Sequence, residues 1–149
     1  MVTALGISQA VQQERSLINR INNSFMKTDI ANRTDIEILV NTFYEKVKAD
    51  DILGPIFNVL IPVNWKVHLP VMYQFWDNAI FYTGGYTGNP MTLHAHIHKK
   101  IGLEPAQFDR WIELFNQTAD ELFEGEKATL AKERAFSIAK VMELKILNS

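Results

Sequence analysis

From about residue 34 to the C-terminus the hydrophobic positions of this chain repeat with the period of a helix. Ile36, Leu39, Val40, Phe43, Tyr44 and Val47 share one helical face, which predicts a helix with Tyr44 on its buried stripe. Thr34-Asp35-Ile36-Glu37 fits a capping box, so the helix is expected to start there. Asp50-Asp51 and Gly54-Pro55 break it and leave Ile52, Leu53, Ile56 and Phe57 as a short apolar turn expected to pack inward. A second stripe, Trp65, His68, Leu69, Met72, Trp76, Ala79 and Ile80, predicts a helix from about Asn64 to Tyr82 with His68 among its core-facing positions. Pro70 lies inside it, where an interior proline costs about 3 kcal/mol; because the stripe continues beyond, a kinked helix is expected rather than two.

Thr83 to Pro90 reads as a glycine-rich loop and Met91 to Ile101 as a shorter helix ended by Gly102. Pro105 suits the first turn of the next helix, whose stripe is Phe108, Trp111, Ile112, Phe115, Ala119 and Leu122. A turn at Glu124-Gly125-Glu126 leads to a last helix carrying Ala131, Ala135, Ile138, Ala139, Met142 and Ile146. No segment alternates as a strand does, and no internal repeat is visible, so the fold class is all-α. Residues 1–30 differ from the rest. Ile7, Val11, Ile18, Ile21 and Phe25 could share a face, but the filling is polar, and the segment reads as an extension, helical or disordered, ahead of a domain at 31–149.

Composition narrows the chemistry. With 149 residues, of which 47% are hydrophobic and 11% aromatic, one domain with a real core is expected. A net charge of −2 with mixed signs offers no footprint for nucleic acid or an anionic membrane. The absence of cysteine excludes disulfides, thiolate metal sites, iron–sulfur clusters and a cysteine nucleophile, so a bound metal would need His or carboxylate. No apolar run approaches the roughly eighteen residues of a membrane span, and the N-terminus has no signal-peptide pattern; a cytoplasmic protein is expected.

Three of the four histidines, His94, His96 and His98, follow the glycine-rich loop. His94 and His98 are four apart and would project from one side of a helix. Spacing alone leaves three readings open: a solvated cluster, a zinc site weakened by the lack of H-E-x-x-H and of thiolates, or a haem ligand in an apolar cavity. Tyr44, His68 and Trp111 are hydrogen-bonding rings on stripes expected to be buried, where each must find a partner; local backbone bonds or a shared polar ligand would serve.

Four segments, FYEKVKADDILGPIFN (43–58), WKVHLPVMYQFW (65–76), YTGNPMTLH (86–94) and FDRWIELF (108–115), resemble the group III truncated haemoglobins in sequence and order. The resemblance runs from about residue 30 to the end. It implies a shortened globin, a two-over-two helical sandwich around haem b (protohaem IX, iron). By position, His94 matches the iron ligand, Tyr44 the tyrosine over the opposite haem face, Trp111 the tryptophan on that side and His68 the distal-helix histidine. Phe57 matches the phenylalanine stacked on the ring, and Met72 a distal apolar wall position. His98, Lys99 and Lys100 are candidates for the propionates.

The implied function is binding of O2, NO, CO or similar small ligands. Tyr44 would be the first donor to the ligand, Trp111 the second, and His68 a gate, an auxiliary donor or itself an iron ligand. A polar pocket suits nitric oxide or peroxide chemistry, as a nitric oxide dioxygenase or peroxidase-like activity fed by a reductase, better than oxygen transport or storage. A monomer is expected. The alternatives are a non-enzymatic gas carrier or sensor, and a haem-free zinc-binding or adaptor domain.

Overall fold

The structure is a computed structural model, which describes residues 4–60, 63–84 and 102–147. Among the described residues there are five α-helices, α1 Ala4–Phe25, α2 Arg33–Ala49, α3 Trp65–Phe81, α4 Pro105–Leu122 and α5 Glu126–Leu147, and a π-helical turn at Ile56–Leu60. There is no strand among the described residues. The helix expected at Met91 to Ile101 lies outside them.

The four helices after α1 form two pairs. α2 packs on α3 and α4 packs on α5, while α2 also meets α4 and α3 meets α5, so the pairs cross as two layers. Where they meet the core is made of rings. Phe115 is fully buried and stacks on Trp76 (centroids 4.8 Å apart) and on Trp111 (5.8 Å). Phe43 of α2 meets Phe115 at 5.2 Å and Trp111 at 5.3 Å, both edge-on. Edge-to-face and offset-stacked pairs are favoured by the ring quadrupole, so this group locks three helices at one point. The residues of α5 that reach the core are small, Ala128, Ala131, Ala135 and Ala139, which lets that helix approach closely.

Sequence expectations and structure differ in two local places, the start of α2 and the exposure of Ile52. α2 begins two residues earlier than its apparent capping box: Asn32 is the N-cap, and its Oδ1 accepts from the Asp35 amide at 3.1 Å, while Asp35 in turn accepts from the Ala31 amide. Asn is at least as good a cap as Thr, and here it lies where the chain turns out of an extended segment. Ile52 is exposed rather than packed inward, and only Leu53 and Ile56 of that turn are fully buried. α3 runs through Pro70 as one helix; the proline is exposed, where water can satisfy the carbonyl that loses its donor.

α1 is helical, and residues 8–18 are exposed along it, Val11, Leu17 and Ile18 included. The chain that follows it is anchored to the domain by Asp29, whose carboxylate accepts from the Lys127 and Ala128 amides, both at 2.9 Å, at the start of α5. Gly125 permits this approach, since its φ is +142° and a Cβ there would lie 2.5 Å from the Asp29 carboxyl carbon.

Phe115→Ala should remove the centre of the ring cluster and lower stability by about 3–5 kcal/mol. Urea unfolding followed by circular dichroism checks this; a loss under about 1 kcal/mol would mean that the cluster is not what joins the layers.

Candidate functional site

Between the two layers lies a pocket with an empty volume of about 890 Å³, counting its open mouth. Its walls come from every helix of the two pairs and from the turn between α2 and α3. Tyr44 enters from α2, Leu53, Ile56 and Phe57 from the turn, and His68, Met72, Phe75 and Trp76 from α3. The other layer contributes Phe108 and Trp111 of α4 and Ile138 and Met142 of α5, with Leu103 and Gln107 at the start of α4.

The lining is apolar but for a few polar atoms. Tyr44 is 7% exposed, and burial pushes its phenol well above the ordinary tyrosine range, so it stays protonated and able to donate. Among the described residues neither the Tyr44 hydroxyl nor the Trp111 indole N–H has a hydrogen-bond partner. Two donors left unpaired at one apolar pocket are costly unless something in the pocket accepts from them. The His68 ring lies 6.2 Å from the Tyr44 ring, on the same wall. Flat ring walls with few donors suit a planar, largely apolar prosthetic group.

No family model matches the chain. The group 3 truncated haemoglobin ctb of Campylobacter jejuni is 32% identical over 120 residues, covering 76% of this chain and 90% of that protein. The crystal structure of group III truncated haemoglobin from Campylobacter jejuni matches with a TM-score of 0.64 at 30% identity, over 80% of this chain and 94% of its own. The chain belongs to the group III truncated haemoglobins. Its fold is the all-α globin fold of that family.

Five of the residues singled out from the sequence of this truncated haemoglobin, Tyr44, Phe57, His68, Met72 and Trp111, line the one pocket. His94 and His98 lie outside the described residues, as do Lys99 and Lys100. Among the described residues no group of three His, Asp or Glu is placed to hold a metal ion. Phe75, Phe108, Ile138 and Met142 also line the pocket and were not singled out. Helical spacing marks Phe108, Ile138 and Met142 as inward, though not Phe75, and periodicity does not distinguish a wall of a cavity from a filled core.

One ion pair ties two of these walls together. Arg110, next to Trp111, donates from Nε (2.9 Å) and from a terminal nitrogen (2.6 Å) to Asp50 Oδ1. Asp50 Oδ2 accepts from the Ile52 and Leu53 amides, each at 3.1 Å. A single carboxylate thus closes the turn that carries Leu53 and Phe57 and holds it to α4. Gly54 completes the turn, because a Cβ there would be 2.8 Å from the Lys48 carbonyl oxygen.

The Arg110 hydrogen bonds, aided by the Leu53 and Ile52 amides and opposed by burial, hold the Asp50 carboxyl below its ordinary range. The stabilisation is therefore present above the unfolded carboxyl pKa of about 3.9 and is lost as the pH falls through the lower folded value. Asp50→Asn should destabilise the protein at about pH 7 and progressively less below about pH 4. Thermal melts of both proteins across that interval check it; a difference that does not shrink in acid would mean that the charge of Asp50 is idle.

Proposed function

We propose that this chain binds haem b, protohaem IX with its iron, through His94, and there takes up O2, NO, CO or similar small ligands. The observation that carries this reading is the apolar, ring-walled pocket with two donors, Tyr44 and Trp111, that have no hydrogen-bond partner among the described residues. Membership of a haemoglobin family and the position of His94 in the NPMTLH segment support it. We assign the haem domain to residues 31–149 and treat 1–30 as an extension.

When bound, haem supplies an iron that holds a diatomic ligand and can exchange electrons with it. The chain supplies the rest. Neutral His94 would give one ring nitrogen to the metal and its other N–H to a carbonyl near Pro90, which would set ring orientation and basicity. Phe57 packs against the group, and Met72 and its apolar neighbours keep water out. Tyr44, held protonated by burial, donates to a ligand that gathers negative charge, with the Trp111 indole as second donor. In a dry pocket such donors act in a low local dielectric, which strengthens them. His68 serves at the pocket rim as a gate or auxiliary donor, and we place His98 near the propionates.

Firm donation to bound ligand slows its release and suits conversion of nitric oxide or peroxide, with electrons from a reductase, better than storage. We expect a monomer acting in the cytoplasm; no helix among the described residues is long and apolar enough to cross a membrane.

His94→Gly should abolish the Soret band of the purified protein, and a variant with an unaltered band would overturn the reading. Tyr44→Phe should speed O2 dissociation roughly fivefold, the effect of losing a hydrogen bond of about 1 kcal/mol, as read by stopped-flow absorbance. An unchanged rate removes Tyr44 from the ligand site. Nitric oxide consumption by the oxygenated protein supplied with a reductant separates the redox role, which predicts many turnovers to nitrate, from that of a carrier or sensor, which predicts no more than one per haem.

A further inference from the structure

Tyr44, Phe57 and His68 reach the pocket from three different segments, α2, the π-helical turn and α3. All three rings meet a fourth that does not line the pocket. Trp65, the first residue of α3, has its ring 5.1 Å from Tyr44, 6.3 Å from Phe57 and 6.0 Å from His68, centroid to centroid. It is half-buried, so it stands between these rings and solvent.

Among the described residues the Tyr44 hydroxyl has no hydrogen-bond partner, and the contacts that hold its ring there are with other rings. On one side is Phe43, 5.0 Å away and buried in the core; on another is Trp65. Phe43 is held by Phe115 and Trp111, while the other two rings that meet Tyr44, His68 at 6.2 Å and Phe57 at 6.5 Å, both rest on Trp65 as Tyr44 itself does. Trp65 is itself pinned. The Lys48 ammonium lies 5.1 Å from its ring centre, a cation–π contact, and is held there by Glu45 at 2.7 Å. The Lys48 carbonyl also accepts from the Asn58 side chain at 3.0 Å, beside Phe57.

We propose that Trp65, steadied by Lys48, is a positioning residue that aims the Tyr44 hydroxyl and fixes the Phe57 and His68 rings against whatever occupies the pocket. This rests on the haem reading above. Trp65 does not itself touch the bound ligand, so its removal should alter the polarity the ligand feels without removing any donor.

The test uses the full-length protein reduced under carbon monoxide. The C–O stretching band reports how firmly donors face the bound ligand. Trp65→Leu should move the band toward the frequency of a weaker donor contact or split it in two, and should speed O2 release roughly fivefold, as for a lost hydrogen bond. Trp65→Phe, which keeps an aromatic surface, should restore most of the wild-type band. A Trp65→Leu protein that binds haem with a wild-type band and rate overturns the proposal. If that variant does not fold, Lys48→Met decides: it keeps every ring, and broadening of the same band is expected, whereas a band identical to wild type overturns the role. A wild-type protein that takes up no haem overturns the functional reading itself, and the Trp65 proposal with it, so the two failures are told apart.

Discussion

The stack of Trp76, Phe115 and Trp111, with Phe43 set edge-on against it, has to do two opposed things at once. It joins the two helix layers, and it keeps them far enough apart to leave a cavity between them. Aliphatic side chains repack and fill space; protein interiors tend to the density of organic crystals. Stiff rings in edge and offset contacts resist that collapse, because their preferred separations, about 4.5–7 Å between centroids, are set by shape and quadrupole. Phe115 is wholly buried, while its two stacking partners also line the pocket. The column is core on one side and wall on the other.

Polar contacts are placed where the rings cannot hold the chain. The turn between α2 and α3 is short of buried apolar surface, with Ile52, Val59 and Leu60 exposed. It is held instead by Asp50, which spans Arg110 and two backbone amides, by the close approach of Gly54 to Lys48, and by Asn58. The same device recurs at the other end of the domain, where Asp29 caps α5 from a segment about a hundred residues upstream in the chain. Removing one member of such a bridge leaves the other partly desolvated, so these few contacts weigh more than surface pairs such as Lys132 with Asp120.

Inside the pocket the sparseness of donors gives them their effect. A phenol that burial keeps protonated and an indole N–H, both without protein partners among the described residues, are free there to donate to an occupant. An apolar surround lowers the local dielectric and strengthens any hydrogen bond they make. The Tyr44 ring packs on Trp65, which is itself half-buried and in contact with Lys48, so the wall of the pocket is continuous with contacts outside it.

Local order dictates local structure, and that part of this protein can be read in its sequence. The stripes through Phe43, Trp76, Phe115 and Ala135 mark α2, α3, α4 and α5, because a helical period places inward residues on one face whatever the neighbours are. The quoted segments also carry the family likeness, and with it Tyr44, His68 and Trp111. Asn32 rather than Thr34 as the cap, and the exposure of Ile52, turn on how the chain leaves a helix, which short-range pattern describes poorly. The union of Tyr44 with Phe108 and Met142 at one cavity, the Asp50 to Arg110 bridge across sixty residues, and Trp65 behind three pocket rings were decided only by the tertiary structure. Such contacts depend on the crossing of two helix layers, and periodicity along one helix holds no information about the angle or distance at which another will meet it.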